Sequence, residues 1–248
     1  MKTVFIHIPK TAGTTMMELL MKNYKPSEIH HLTKAGKMSG SEIQGFVERY
    51  RCLFGHFRFH PELVRPENFL FAFLRDPVDR CISNFFHLIR EQRYTDLKAM
   101  EAMEFYLSEE ELIKTGNWNR QTHFLAGTKG RKFFKNEEKY HVNLAIERLE
   151  QLSFIGITEH FEESVFMLGQ SLGWKKWYYL PQNTNRRPEL KNKLLNQFGK
   201  QLQEANEWDQ QVYEAGLKIF EKQRSHIHVP FHKKAVARML STTKKLMR

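Results

Sequence analysis

VFIHIPKTAGTTMM, residues 4–17, predicts most of the architecture around it. Its first residues form a short apolar run rich in β-branched side chains, which indicates a buried strand of a parallel sheet that Pro9 ends. Residues 10–15 form a turn of small residues, and MMELLMK after it has helical spacing. A strand, a tight turn and a helix start direct N–H groups and the positive end of a helix dipole at one point. The stretch therefore predicts a phosphate or sulfate site.

Apolar runs and helical patterns alternate along the rest of the chain, which is typical of a parallel α/β sheet. The clearest strand is FLFAFL at residues 69–74, as expected of a central strand covered on both faces. Residues 22–41 are predicted as a loop with at most one short element, and residues 117–127 have no clear assignment. We expect one domain over residues 1–248, with a P-loop NTPase-like central parallel sheet flanked by helices and a basic helical tail at about 226–248.

The net charge of the chain indicates an anionic partner or substrate. The chain carries 39 Lys and Arg against 28 Asp and Glu, a formal charge of +11, which favours nucleic acid, a nucleotide, a polyanionic sugar or an acidic membrane surface. Its two cysteines are too few for a disulfide framework or a clustered zinc site. No signal sequence and no bilayer-length apolar run is present, so we expect a cytoplasmic protein. A Golgi location would require a membrane anchor outside this sequence.

Candidate binding groups follow the predicted strands, where α/β folds place their ligands. His56 lies in a glycine turn after a short strand, although a histidine among aromatic residues is by itself more often structural. Arg75 directly follows FLFAFL, and Ser83 lies about two helical turns later, a combination suited to a terminal phosphate. Standing alone, the arginine would be a surface partner of the next aspartate. Two arginines in a later loop, Arg186 and Arg187, are placed to close over a nucleotide.

The turn differs from an ATP- or GTP-binding P-loop, in which lysine follows the last glycine and a carboxylate on a second strand helps to hold Mg²⁺. Here Lys10 precedes Gly13 by three residues, and FLFAFL ends at Arg75. We therefore expect no metal, and an anion held by protein cations and N–H donors. Transfer of a sulfuryl group fits such a site.

Three motifs in order resemble the carbohydrate sulfotransferases related to heparan-sulfate 2-O- and 6-O-sulfotransferases. They are HIPKTAGTT near the N-terminus, GHF at residues 55–57, and LRDPVDRCISNFF at residues 74–86. The later segments NRQTHFLAG, FIGITEHFEES and WDQQVYEAGLKIF are similar to that family's pattern too, so the resemblance covers roughly residues 4–220. It implies a sulfotransferase fold and an enzyme that transfers a sulfuryl group from 3′-phosphoadenosine 5′-phosphosulfate (PAPS) to an acceptor hydroxyl, leaving the product PAP.

The resemblance also implies roles for individual residues. Lys10 would stabilise the leaving group near the bridging oxygen, Arg75 and Ser83 would hold the 3′-phosphate, and His56 would be the general base. An unperturbed histidine pKa of about 6.5 suits a base near neutral pH. The residues implied to hold the 5′-phosphosulfate are Lys10, Thr11, Ala12, Gly13, Thr14 and Thr15.

The acceptor is expected to be anionic or polar, most simply a saccharide, with Arg58, Arg90 and Arg93 as candidate contacts. A plain solvated-charge interpretation of these arginines is equally open. Animal members of the family are membrane-anchored Golgi enzymes with disulfides, so this chain looks more like a bacterial, cytoplasmic relative. Phe54 stands where the animal 2-O enzymes have a second histidine, so their acceptor specificity does not transfer. Nucleic acid is not an expected partner.

Two other functions stay open on the sequence. The chain could be a P-loop kinase of a small metabolite, which would use ATP with Mg²⁺. It could also be a non-enzymatic basic module that binds nucleic acid or sulfated glycan, as the +11 charge allows.

Overall fold

A central five-stranded sheet organises the chain, with all strands parallel and the order β2-β3-β1-β4-β5. The computed structural model describes residues 1–33, 38–94, 96–115, 117–128, 137–179 and 188–225. The expected basic tail at 226–248 and the arginines Arg186 and Arg187 lie outside these residues. The strands are β1 Lys2–Ile6, β2 Ile29–Leu32, β3 Cys52–Gly55, β4 Asn68–Leu74 and β5 Phe154–Ile157.

Helices connect the strands and cover the sheet, which confirms the predicted α/β fold. None of the described helices is long and apolar enough to cross a membrane. The helices are α1 Gly13–Asn23, α2 Gly40–Arg49, α3 Pro77–Arg90, α4 Ala99–Tyr106, α5 Glu109–Thr115, α6 Arg120–Leu125, α7 Glu138–Glu150, α8 Phe161–Ser171, α9 Pro188–Glu204 and α10 Glu207–Ser225.

The two central strands form because their side chains are apolar on both faces. β1 lies between β3 and β4 in the sheet, and the side chains of Val4, Phe5 and Ile6 are fully buried, so neither face of β1 meets water. Phe5 of β1 and Phe71 of β4 are fully buried and stack with ring centroids 4.7 Å apart. Parallel strands all end at the same edge, so the turns after β1, β3, β4 and β5 meet in one place.

A second hydrophobic cluster packs α3 against α4, α5 and α9, separately from the core of the sheet. Its largest members include Phe85 of α3, Tyr106 of α4, Leu112 of α5 and Phe198 of α9. This helical layer places α5 and the residues after α3 beside the carboxyl edge of the sheet, because α3 itself starts at that edge.

A buried ion pair ties α3 to α10. Arg80 and Asp209 are both fully buried, with Nε and Oδ2 3.8 Å apart. Asp209 also accepts hydrogen bonds from the Thr122 backbone N–H at 2.7 Å and the Gln121 backbone N–H at 3.1 Å. Gln121 and Thr122 belong to α6, so their hydrogen bonds to Asp209 hold α6 against α10.

We expect Asp209→Ala to lower the free energy of unfolding by about 3–5 kcal/mol, because it leaves Arg80 as a buried charge without its carboxylate. Urea denaturation followed by circular dichroism measures the change. Glu214→Ala, which removes an exposed carboxylate from the same helix, serves as the control and should change stability by less than about 0.5 kcal/mol. Equal losses in the two variants would contradict the role given to the buried pair.

Candidate active site

The carboxyl ends of the strands open into a cavity of about 1160 Å³. Most of the residues that the sequence predicts for the site line this cavity, although they come from four separate parts of the chain. The predicted residues found there are Lys10, Ala12, Gly13, Thr14, Thr15, His56, Arg75, Ser83 and Arg93.

Three of the predicted residues that the structure describes do not line the cavity. The buried Thr11 hydroxyl donates a hydrogen bond to the Ile8 carbonyl at 2.8 Å, so this side chain stabilises the turn itself. The Arg58 guanidinium lies over the Phe124 ring, 5.9 Å from its centroid. Arg90 is exposed at the end of α3.

The turn between β1 and α1 has a backbone conformation that L-residues rarely adopt. Lys10 and Ala12 have φ values of 74° and 61°, in the left-handed region. Each costs roughly 1 kcal/mol or more and persists where the surrounding structure requires it, commonly at ligand sites. Ala12 is also the N-cap of α1, and its side chain makes no hydrogen bond to the first turn. Such a turn directs backbone N–H groups and the helix dipole toward a bound anion.

Gly13 is required because the His7 ring packs directly against it. A Cβ atom built on Gly13 would lie 1.7 Å from Nε2 of His7, far inside van der Waals contact. His7 lines the cavity as well. The position of His7 in the cavity was not predictable from the sequence, because a lone histidine in an apolar run carries no motif.

We expect Gly13→Ala to destabilise the protein by about 1–3 kcal/mol, the usual cost of overpacking, because the His7 ring must move. Gly45→Ala in the middle of α2 is the matched control. No atom lies within 4 Å of a Cβ built there, so it should be neutral or stabilise by up to about 1 kcal/mol. Thermal denaturation of both variants measures the difference, and a neutral Gly13→Ala would contradict the packing.

His56 is held in one tautomer by the backbone carbonyl of His7, directly after β1. Its Nδ1 lies 2.9 Å from the His7 carbonyl oxygen, which can only accept, so Nδ1 carries the proton and donates. Nε2 then keeps a lone pair. The His7 and His56 rings lie against each other, with centroids 4.2 Å apart and planes tilted by 30°.

Both histidines are neutral near pH 7. Burial is the main cause that lowers the pKa of His56, the charges of Arg120 and Lys10 lower it further, and the hydrogen bond to His7 opposes the shift. Burial lowers the pKa of His7 well below its ordinary value, with His56 contributing. A neutral imidazole with an available Nε2 can accept a proton from a ligand hydroxyl.

Lys10 supplies a cation within the turn itself. Burial, followed by the charges of Arg90 and Arg75, lowers its pKa to about 8. The Arg75 side chain donates from Nη1 to the Lys10 carbonyl at 3.3 Å, which joins the turn after β1 to the residue after β4. A bound polyanion would relieve the repulsion among these cations.

Arg75 is fixed through its backbone. Its N–H donates to Oε1 of Gln121 at 3.0 Å, and its carbonyl accepts from Nε2 of Gln121 at 2.9 Å. The Nε atom of Arg75 is buried and has no hydrogen-bond partner within the described part of the chain. The side chain of Asp76 caps α3 by accepting from the Asp79 N–H at 2.8 Å, and the helix then presents Ser83 to the same cavity. Arg75 and Ser83 therefore both line the cavity.

The far wall of the cavity comes from the segment after β5, residues 158–163, together with Tyr179. Glu159 supports this wall by accepting hydrogen bonds from the Asp76 N–H at 3.0 Å and the Tyr213 hydroxyl at 2.9 Å. The sequence reasoning quoted this segment for its family resemblance and named no site residue in it. Within the described ranges, no group of three or more His, Cys, Asp and Glu is placed to hold a metal ion.

One comparison with known proteins, the match to a family model, shows the class of this chain. The chain is similar to a solved sulfotransferase from Alicyclobacillus acidocaldarius, with 15% identity over 83% of this chain and 95% of that chain and a TM-score of 0.45. No curated protein matches it significantly. A family model described as the sulfotransferase family matches residues 1–223, nearly the whole chain. This chain belongs to the sulfotransferase family.

Proposed function

We propose that the protein is a PAPS-dependent O-sulfotransferase that acts on a hydroxyl group of a carbohydrate. The observation that carries the proposal is the position of His56. Its Nδ1–H is committed to the His7 carbonyl at 2.9 Å, and the ring lies in the same cavity as the anion-binding turn of β1 and α1. A base and an anion site in one cavity support group transfer to a hydroxyl.

The residues after β1 and β4 fit the two ends of such a donor. PAPS would supply the sulfuryl group and a phosphate leaving group. The strained turn at Lys10 and Ala12 offers N–H donors to the phosphosulfate, and Lys10 stabilises the charge that develops on the bridging oxygen. Arg75 lines the cavity and carries a permanently charged guanidinium, which suits the 3′-phosphate, and Ser83 adds a hydroxyl.

His56 would take the proton of the acceptor hydroxyl on Nε2 as the oxygen attacks sulfur. The hydrogen bond from Nδ1–H to the His7 carbonyl stabilises the imidazolium that results, because a hydrogen bond is stronger when its donor is charged than when it is neutral. The acceptor O–H bond breaks, an O–S bond forms, and the bond between sulfur and the bridging oxygen breaks.

The lining of the cavity favours a polar acceptor. On the side of α3, α5 and α6 the described lining is mostly polar, with Leu88 as its apolar member, and comprises Ser83, Asn84, His87, Arg93, Thr115, Asn117 and Arg120. Such a surface hydrogen-bonds hydroxyl groups, as a carbohydrate requires. A kinase is disfavoured because Arg75 follows β4, where a Mg²⁺-binding carboxylate would be expected.

Ligand-dependent melting and group transfer test the proposal. PAP present at a thousand times its dissociation constant should stabilise the protein by about 4 kcal/mol, and ATP with Mg²⁺ should stabilise it less. Labelled PAPS incubated with oligosaccharides, polysaccharides and small alcohols should label a carbohydrate. A larger shift with ATP and Mg²⁺ would favour the kinase. Tight, salt-sensitive DNA binding without a PAP shift would favour the basic binding module.

The pH dependence of kcat/KM should be bell-shaped. The lowered pKa of His56 moves the acid limb below pH 6.5, because the base must be neutral to accept a proton. The alkaline limb should lie near pH 8, where Lys10 loses its charge in the free enzyme. Lys10→Arg keeps the charge at high pH and should remove the alkaline limb. A limb that persists in this variant would assign it to another group.

A further inference from the structure

Two residues directly after β5, Thr158 and Glu159, hold the junction between β4 and α3. The Thr158 hydroxyl donates to the Leu74 carbonyl at 2.8 Å, and Oε1 of Glu159 accepts from the Asp76 N–H at 3.0 Å. The second carboxylate oxygen, Oε2, accepts from the Tyr213 hydroxyl of α10 at 2.9 Å. Tyr213 is only 7% exposed, so the carboxylate is attached to a buried side chain of the core.

Arg75 lies between the two groups held in this way, the Leu74 carbonyl and the Asp76 N–H. Its own N–H and carbonyl are bound by the Gln121 amide at 3.0 and 2.9 Å. Four consecutive backbone groups around Arg75 therefore bind side chains from other segments. Because a guanidinium lies at the end of a long side chain, a small rotation of the backbone moves it by a larger distance, and sites of this kind tolerate little displacement. The junction therefore sets where the charge of Arg75 lies in the cavity.

Glu159 adds a negative charge to a cavity proposed to hold a polyanion. It is exposed and lines the cavity together with Lys10 and Arg75. Burial lowers the pKa of Arg75, and the nearby carboxylates of Asp79 and Glu159 oppose this shift. A carboxylate repels a phosphate, so the charge of Glu159 by itself opposes binding of the donor. Each of its oxygens is bound to a group of the protein, which indicates that the side chain serves the junction.

We propose that Glu159 is a positioning residue that aligns Arg75 with the 3′-phosphate of the donor. The carboxylate holds the Asp76 N–H on one side and is held by Tyr213 on the other, so α10 supports the donor site through this side chain. The gain in alignment exceeds the repulsion between the carboxylate and the phosphate. This inference rests on the PAPS-dependent function proposed above.

The sign of the change in PAP affinity tests the proposal. Glu159→Ala should weaken PAP binding about tenfold, because the Asp76 N–H loses its acceptor and Arg75 is displaced. Binding of AMP, which lacks the 3′-phosphate, should change by less than about twofold. If the carboxylate acted only through its charge, its removal would tighten PAP binding instead. Calorimetric titration with PAP and with AMP measures both affinities.

Two conservative variants separate geometry from charge. Glu159→Gln keeps an oxygen for the Asp76 N–H and an amide that can donate to the Tyr213 hydroxyl oxygen, so it should bind PAP as tightly as the wild type or more tightly. Tyr213→Phe leaves the charges of the site unchanged and should weaken PAP binding about threefold, because Glu159 loses a hydrogen bond. This variant also provides the test if Glu159→Ala does not fold.

Glu162→Ala is the matched control, because it removes another carboxylate that lines the same wall of the cavity. It should bind PAP as tightly as the wild type or more tightly. Combination with Arg75→Ala then shows whether Glu159 acts through the arginine. In that background, Glu159→Ala should cause no further loss of PAP affinity.

Binding of PAP to the wild type separates the failure of this inference from the failure of the proposed function. If the wild type neither binds PAP nor labels an acceptor, the sulfotransferase function fails and the inference falls with it. If the wild type binds PAP and Glu159→Ala binds it equally or more tightly, the positioning role alone is wrong. A tenfold loss that persists beside Arg75→Ala, or an equal loss for PAP and AMP, would also overturn it.

Discussion

His56→Asn should lower kcat by about a hundredfold to ten-thousandfold and leave PAP binding unchanged. The asparagine amide can still donate to the His7 carbonyl, which now accepts from Nδ1 at 2.9 Å, so the local packing survives. It has no basic nitrogen in place of Nε2, so the acceptor hydroxyl keeps its proton. The variant therefore separates the base from the structural part of the imidazole.

Steady-state labelling from PAPS and calorimetric titration with PAP measure the two effects. His30→Asn is the control, because His30 stacks on Phe46 and Tyr50 and does not line the cavity. Added imidazole should restore part of the rate of His56→Ala, in which the ring leaves a space. A His56→Asn enzyme with more than a tenth of the wild-type kcat would show that the histidine is not the base.

Arg75→Ala should weaken PAP binding by about a hundredfold, which corresponds to roughly 2.7 kcal/mol and to the loss of a bidentate, charge-assisted contact. Binding of AMP, which lacks the 3′-phosphate, should change little. The fold should survive because Gln121 holds Arg75 through its backbone N–H and carbonyl, which the substitution keeps.

Calorimetric titration of wild type and variant with PAP and with AMP provides the comparison. Arg51→Ala is the matched control, since this arginine precedes β3 at the amino edge of the sheet and pairs with Glu28 at 2.9 Å. Equal losses of affinity for PAP and AMP would move Arg75 away from the 3′-phosphate and toward a general role in the site.

The β2 edge of the sheet and the short helix α6 depended on contacts between residues that are distant in sequence. β2 is the element within the predicted loop at 22–41, and its type was not readable because IHHL is short and partly exposed. It forms by pairing with β3, while the His30 ring packs on Phe46 and Tyr50. α6 begins at the unassigned stretch 117–127, where Asn119 accepts hydrogen bonds from the Trp208 and Asp209 N–H groups at 3.0 and 3.1 Å.

Some features of the candidate site were predictable from the sequence, and others depended on contacts between distant residues. Lys10, Gly13, Arg75 and Ser83 were predictable because each follows a strongly apolar strand at a short, defined spacing. The contact between the His7 and His56 rings and the anchoring of Arg93 by Glu111 were not predictable, because each joins residues that are apart in sequence. The burial of Arg75 Nε was not predictable either, because it depends on tertiary packing. Side-chain direction and burial, which decide that Thr11 faces its own turn, have no periodic pattern.

The sequence by itself determined the parallel α/β architecture, the tight turn after β1 and the strand ends that carry His56 and Arg75. Apolar periodicity and glycine spacing are local properties, and the hydrophobic effect acts on them in any context. Only the tertiary structure decided which cations and amides share the cavity. That outcome depends on how α3, α5, α6 and α10 pack around the buried Arg80 and Asp209 pair.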